Sequence, residues 1–560
     1  MKHMNSVRII ALGGSADVTR NMYAYEYRQS GSITDILLVD CGVGFPDATM
    51  QGIDYLIPDI SYLEDKIDKI RGLVLTHGHM DHIGALKYIA PQLNNPQLYG
   101  TRLTAALADA NMREFGIPNS VKVVDEDQVL NLAPFRVSFV HVTHSIPDAT
   151  NLIIETPIGK FYHGSDYKFD WSPIDGRPTE VNKIVNAAGK DGFLCLLSDC
   201  VRSENSGYTL SEKIIDESLN QVLQRTQGKL IFATFSSNIS RIQQAVDVAV
   251  KNNRLICFIG RSIRNNVEIA KRLKYLRYPK QSEAKENMLS NVPDSKLMLI
   301  VTGSQGETGS ALTRIANEEH KRISTTAKDK VIISADPIPG NETAVNNVIN
   351  SLSARETEVI YTDIHDALHV SGHGSKGDIA LMLGLTRPKY SIPIGGEHKQ
   401  MAQFKKIAMA LGHNAKNIFI PKGGEVVTFE QSGNAFIDQP ITLRDVMVDG
   451  YGIGDIDSGV LNDRRQLAQE GFVNIVIPLS KSKELDGVIT IITRGFVFHD
   501  EKESKELLNK ARSITIDILN KQTGDNIELK HRITKQLKRF FYDETGRNPL
   551  ILPVIVQSNV

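Results

Sequence analysis

The stretch Thr76-His77-Gly78-His79-Met80-Asp81-His82 constrains this chain more than any other. Three imidazoles and a carboxylate fall within six residues, a density of nitrogen and oxygen donors that a solvated loop has no use for. The apolar run 73–75 just before it reads as a strand. The residues just after it read as an amphipathic helix, running over 83–89 and ending near Pro91. Donors at a strand-to-helix turn can converge on one or two cations. A helix-face site of the HExxH kind is excluded, because no two of these histidines stand four residues apart.

A cation needs further ligands from elsewhere in the chain. His144 lies just past the predicted strand 137–142, and Asp166 just past 161–163. Asp40 ends the predicted strand 36–39, where its carboxylate suits the task of orienting a ligand from behind. Strands are also expected at 7–12 and 152–155, with a turn at 157–159. This α/β layout suits a sandwich of sheets covered by helices. From about Ser211 the pattern changes. The runs 230–234, 255–260, 297–302 and 331–335 are near-continuously apolar, each followed by a turn and a helical stretch, as in buried parallel strands of a doubly wound unit. Such sheets place ligands at the carboxyl ends of their strands. A Gly/Asp-rich stretch at 449–455 reads as a linker. Beyond it, strands at 473–479 and 487–493 and helices at 502–520 and 533–542 predict a small separate α/β domain.

At 560 residues the chain calls for two to four domains. Its net charge of -1, from 64 basic and 65 acidic residues, excludes a global basic field; a nucleic acid would have to be drawn by a local groove or by metal ions. Cys41, Cys195, Cys200 and Cys257 form no CxxC pair and read as reduced thiols of a cytoplasmic protein. No segment predicts a membrane span or a signal peptide.

With His77-x-His79-x-Asp81-His82 followed by His144 and then Asp166, the chain resembles the metallo-β-lactamase superfamily. The inserted parallel unit is similar to its β-CASP branch, which acts on nucleic acids. Several phrases resemble the ribonuclease J family in particular: Gly52-Ile-Asp-Tyr-Leu-Ile-Pro-Asp-Ile-Ser61, His144-Ser-Ile-Pro-Asp148, Leu197-Ser-Asp199, Thr302-Gly-Ser-Gln-Gly-Glu307, Pro337-Ile-Pro-Gly-Asn-Glu342, His369-Val-Ser-Gly-His-Gly-Ser375 and Asn548-Pro-Leu-Ile-Leu-Pro553. The resemblance implies an αββα sandwich (1–208 and 369–448), an inserted doubly wound β-CASP domain (209–368), a linker (449–462) and a small C-terminal α/β domain (463–560).

The resemblance also implies roles. His77, His79 and His144 would hold a first Zn2+, Asp81 and His82 a second, and Asp166 would bridge them, with Mg2+ or Mn2+ as alternative cations. Asp81 would also orient or deprotonate the attacking water. Asp199 would lie near the metals, and His373 would stabilise the transition state or protonate the leaving oxygen. Ser371, Gly372, His373, Gly374 and Ser375, together with Ser236, Ser237 and Asn238, would contact RNA phosphates, the backbone N–H groups of 371–375 forming an anion cradle. The implied activity is hydrolysis of RNA phosphodiesters from 5′-monophosphate ends, with internal cleavage as a second mode, in RNA maturation and decay. The implied partners are RNA, a second or further copy of the chain (dimer or tetramer), other RNA-decay proteins and the ribosome.

Four departures from the family pattern stand out. Pro393-Ile-Gly-Gly-Glu-His398 has Gly395 where the family carries a ligand histidine, so the second cation loses a protein donor; His398, three residues on, is a candidate substitute. Met80 replaces an acidic residue, the loop 13–21 differs from the family's, and Ser240 stands where a histidine is common. These changes raise a second reading: a weakly active or inactive paralogue that binds RNA or partners an active ribonuclease. A third, a small-molecule hydrolase, sits poorly with an inserted domain that encloses a long channel. The basic helix at 529–541 reads as a solvated face.

Overall fold

The computed structural model describes residues 5–47, 49–117, 120–338, 340–364, 368–450, 452–480, 484–496, 501–521 and 525–557. The chain divides into two compact units, one of residues 1–45 and 55–446, the other of 46–54 and 447–560.

The first unit contains a two-sheet sandwich. One sheet has eight strands, in the order Ala435–Asp438, Val426–Glu430, Ser6–Gly13, Met22–Gln29, Ser32–Val39, Ile70–Val74, Leu98–Gly100 and Val121–Val123. The other has six, in the order Tyr390–Ile394, Cys195–Asp199, Gly159–Gly164, Thr150–Thr156, Phe135–His141 and Val129–Leu132. Alternate residues of both sheets meet in one core: Val7, Tyr25, Leu37 and Val39 from the first, Phe139, Leu152, Phe161 and Leu197 from the second. Arg102–Arg113 covers the first sheet, and Val181–Ala188, Lys376–Thr386 and His398–Ala410 cover the second. This is the αββα sandwich of the metallo-β-lactamase fold.

Between the strands Cys195–Asp199 and Tyr390–Ile394 the chain builds a fully parallel five-stranded sheet. Its order is Leu255–Ile259, Leu297–Val301, Leu230–Ala233, Lys330–Ile333, Glu358–Ile360. The apolar runs are continuous because both faces are covered. Leu230, Phe232, Ile256 and Phe258 pack on one side and Ile231, Ala233, Cys257 and Ile259 on the other.

The second unit has its own core of Val473, Ile475, Ile477, Leu529, Ile533, Leu537 and Phe541. Its sheet runs Thr490–Arg494, Phe472–Leu479, Leu550–Gln557, the last strand parallel to the central one. Three features differ from the sequence expectation. The presumed linker carries a hairpin, Val446–Asp449 with Gly452–Ile453, and the start of a helix, Ser458–Glu470. The strand Leu550–Gln557 was not foreseen, because Pro553 within it argues against a strand; it is tolerated on an edge. Residues 46–54 join this unit through Asp54, whose carboxylate accepts from Gly450 N–H at 2.8 Å, and Gln51, whose carbonyl accepts from Arg464 at 3.1 Å.

All four cysteines are buried free thiols. No helix among the described residues is long and apolar enough to cross a membrane.

Candidate metal centre

The strand Ile70–Val74 delivers Thr76-His77-Gly78-His79 to the rim of the sandwich, and a short helix, Met80–Ile83, starts at once. The single helix expected at 83–89 is instead two turns, Met80–Ile83 and Leu86–Ile89. The reason lies in the hydrogen bonds. Asp81 C=O accepts from Asn21 N–H at 3.0 Å, His82 C=O from Cys41 N–H at 2.7 Å, and Ala85 N–H donates to Cys41 C=O at 2.9 Å. The helix ladder is therefore diverted onto the loop after Val39, and this locks Asp81 and His82 against the sheet.

The donors converge. One ligand atom each from His77, His79, His144 and Asp166 lie within 4.8 Å of one another, and the same holds for Asp81, His82 and Asp166, and for Asp166, Asp199 and His373. His79 Nδ1 is 3.1 Å from both His77 Nε2 and His144 Nε2. Asp166 Oδ2 lies 3.6 Å from His77 Nε2 and 3.5 Å from both His144 Nε2 and His82 Nε2. Asp81 Oδ2 is 3.5 Å from His82 Nε2.

Hydrogen bonds on the outer ring nitrogens set the tautomers. His144 Nδ1–H donates to Gly372 C=O at 2.9 Å. His82 Nδ1–H donates to Asp40 Oδ2 at 2.8 Å. Asp40 also accepts from Thr76 N–H and Thr76 Oγ1–H, each at 2.8 Å, which leaves the Thr76 oxygen to accept from His77 Nδ1–H at 3.1 Å. Each Nε2 lone pair is thereby turned inward, as ligation requires. Asp40 has no exposed surface and takes a left-handed backbone (φ 60°), unusual for a residue other than glycine, held by Asp40 N–H to Val74 C=O at 2.9 Å.

The electrostatics follow from burial and crowding. Desolvation, then the neighbouring imidazoles, push His77 and His144 well below the usual histidine range, and His79 falls to about 4. Burial opposes the charge on Asp166, but His82 and His373 overcome it and hold that carboxyl well below the usual value. Burial likewise opposes charge on His82, yet Asp166, Asp81 and Asp40 raise it.

Asp199 and His373 form a pair beside the cluster, His373 Nδ1 to Asp199 Oδ2 at 2.8 Å, with His373 Nε2 3.9 Å from Asp166 Oδ2. Gly395, near Asp199, has a left-handed backbone (φ 65°). A Cβ there would meet only Asp199 Oδ1, at 4.0 Å, so the place of a histidine is open space. His398 does not come to the cluster. It is exposed at the first turn of the helix His398–Ala410, whose start is fixed by a capping box between Glu397 and Gln400.

In the loop 371–375, expected as an anion cradle, three backbone N–H groups have partners in the protein. His373 N–H donates to Ser371 Oγ at 3.1 Å, Gly374 N–H to Tyr167 C=O at 2.7 Å, and Ser375 N–H to Asp378 Oδ2 at 2.9 Å. These three N–H groups are bonded within the fold. Asn238 caps the helix Ile239–Lys251, its side-chain oxygen accepting from Arg241 N–H at 3.0 Å; Ser237 lies beside it, half-buried at the carboxyl end of the strand Leu230–Ala233.

Sequence reasoning missed several residues that build the site. Asp378, fully buried, also accepts from Phe169 N–H and Thr209 N–H, each at 2.9 Å. Its spacing from Ser375 is a capping-box signal that was there to be read. Lys168, Glu212 and Arg241 are buried charges with no local pattern to announce them.

The sandwich, the inserted parallel sheet and the donor cluster define a hydrolase of the metallo-β-lactamase fold in its β-CASP form. Family comparisons agree: residues 20–191 match the metallo-beta-lactamase superfamily, 227–352 the ribonuclease J beta-CASP domain, 357–421 the Zn-dependent metallo-hydrolase RNA specificity domain and 459–558 the ribonuclease J C-terminal domain. The chain is 36% identical to ribonuclease J 1 of Streptococcus pyogenes, covering 99% of this chain and 98% of that one, and 35% identical to ribonuclease J2 of Bacillus subtilis, covering 99% of each. Ribonuclease J of Thermus thermophilus is 35% identical, over 99% of this chain and 95% of its own. The chain belongs to the ribonuclease J family of metal-dependent ribonucleases. Among solved structures, a protein of unknown function from Enterococcus faecalis shares the fold, with a TM-score of 0.53 at 13% identity over 76% of this chain and 100% of that one.

Proposed function

We propose that the chain is a zinc-dependent ribonuclease that removes nucleotides from 5′-monophosphate RNA ends, with internal cleavage as a second mode. The observation that carries the metal assignment is the donor geometry. A tetrahedral zinc with N/O bonds of about 2.0–2.1 Å has ligand–ligand edges of about 3.3–3.4 Å. Four of the six edges among His77, His79, His144 and Asp166 measure 3.1 to 3.6 Å and bracket that value, and all four donor atoms lie within 4.8 Å of one another. Asp81, His82 and Asp166 supply a second, three-donor position, and the open space at Gly395 supports weaker binding there. When bound, such cations supply Lewis acidity, making water acidic enough to lose a proton near neutral pH and neutralising charge on phosphoryl oxygens.

The chain's own residues do the rest. Asp81 orients the attacking water. His373, with Asp199 fixing its Nδ1, presents Nε2 to the reacting phosphate and gives a proton to the leaving oxygen. Ser237 and Ser371 contact phosphate through their hydroxyls. Family membership supports the 5′-end mode. The same reading places the protein in the cytoplasm as a homo-oligomer acting in RNA maturation and decay, with domain boundaries at 208/209, 368/369 and 448/449.

The test is to offer 5′-monophosphorylated and 5′-triphosphorylated RNA to the purified protein with Zn2+, Mn2+ or Mg2+, beside His77→Ala. Mononucleotide release that prefers the monophosphate, needs metal and vanishes in His77→Ala is the expected result. RNA retention without cleavage under every metal would leave the binding-subunit reading in its place.

A further inference from the structure

Arg241, on the helix Ile239–Lys251, has no exposed surface. A buried guanidinium is costly unless its donors are matched, and an ion pair in such a place is weak evidence of net stability. Here the fork is spread over three segments. Nη2 and Nε donate to Glu212 Oε2 at 2.6 and 3.1 Å, Nη2 to Val370 C=O at 3.1 Å, and Nη1 to Ser334 Oγ at 2.6 Å. Ser334 Oγ–H in turn donates to Leu368 C=O at 2.5 Å.

The placement of these partners is specific. Glu212 lies where the chain leaves the sandwich for the inserted sheet, and Leu368 and Val370 lie where it returns. Glu212 Oε1 also accepts from Lys168 Nζ at 3.2 Å, two residues beyond Asp166. Lys168 N–H donates to Thr143 C=O at 2.9 Å, next to His144. Two residues past Val370 is Gly372, whose carbonyl takes the His144 Nδ1 proton, and the next residue is His373. Arg241 therefore joins the two crossings, and Glu212 carries the tie through Lys168 to the loops that bear His144 and Asp166.

We infer that Arg241 is a positioning residue: it holds the returning segment so that Gly372 C=O orients His144 and His373 meets the reacting phosphate. The inference rests on the roles proposed above for His144, Asp166 and His373. It needs the fork and not only the charge, because a lysine can pair with Glu212 but cannot reach Val370 C=O and Ser334 Oγ at the same time.

The experiment compares wild type, Arg241→Lys, Arg241→Met and Ser334→Ala for metal content, thermal unfolding, kcat and KM on 5′-monophosphorylated RNA. Misplacement by about an ångström costs on the order of 100-fold in rate, so Arg241→Met should lose about that much kcat, and Arg241→Lys at least ~10-fold, with KM within ~3-fold and metal retained. Ser334→Ala removes one anchor while sparing the ion pair, so it keeps the test alive if Arg241→Met does not fold; a smaller loss confined to kcat is expected. A folded Arg241→Lys with wild-type kcat, a loss shared equally by KM, or a loss that tracks missing metal would overturn the inference. Wild type that cleaves no RNA under any metal would instead overturn the reading of the site on which it rests.

Discussion

His373 sits between two carboxylates, Asp199 Oδ2 at 2.8 Å and Asp166 Oδ2 at 3.9 Å. Burial disfavours its charge, but Asp199 and Asp166 outweigh that and raise its pKa to about 9. The unfolded value is about 6.5, so in metal-free protein this group adds stability that is full below about pH 6.5 and is lost as pH rises through about 9. Urea unfolding of metal-free wild type and His373→Gln should show curves that converge over that range; parallel curves would exclude the pair as the source. Asp40 offers a second residue-scale test. Asp40→Ala leaves Thr76 N–H buried without its partner and frees the His82 tautomer. Metal affinity should fall by about 10- to 100-fold, read by competition with a chelating dye. Asp81→Asn should lower bound metal toward one ion per chain while His77, His79, His144 and Asp166 keep the other.

At the scale of elements, the site depends on how closely the helix Met80–Ile83 approaches the loop after Val39. Gly42 makes that approach feasible: a Cβ there would fall 1.6 Å from Asp81 C=O oxygen and 2.0 Å from its carbon. Neither backbone can yield, because Asp81 C=O is already bonded to Asn21 N–H. Gly42→Ala should therefore destabilise the first unit by about 1–3 kcal/mol and displace Asp81 and His82, so that the weaker metal is lost first. Equilibrium dialysis and denaturant unfolding check both parts; unchanged metal stoichiometry with intact stability would show that the loop can move aside. The broken helix itself was illegible beforehand. Periodicity reported an amphipathic stretch, and only the loop beside it, contributing Cys41 and Asn21, decided where the ladder would break.

For the whole molecule, the two units have separate cores, and the donors all lie in the first. A ligand that binds only the folded state stabilises the unit that holds it, by about 2.7 kcal/mol at a hundredfold excess over Kd. Calorimetry with and without Zn2+ should thus shift the transition of the first unit and leave that of the second in place. A common shift would mean that the two unfold as one. The net charge of -1 gives RNA no long-range pull, so recognition falls to local contacts and to the bound cations themselves.

Three kinds of information were present in the residue order alone: the apolar runs that predict parallel strands, the crowded donors of 77–82, and the phrases that mark the family. They were legible because strand periodicity, metal ligation and tight turns each demand particular residue types at short range. His144, Asp166, Asp199 and His373 were named as candidates, but their meeting within a few ångströms is a property of sheet order and crossover, which no local pattern encodes. The same holds for the Gly374 N–H closed by Tyr167 C=O, for His398 left in solvent, and for the charges of Lys168, Glu212 and Arg241 buried where the inserted sheet joins the sandwich. Whether a charge is solvated or clamped depends on partners brought in from other segments, as Glu212 is to Lys168 and Arg241, so packing settled these points.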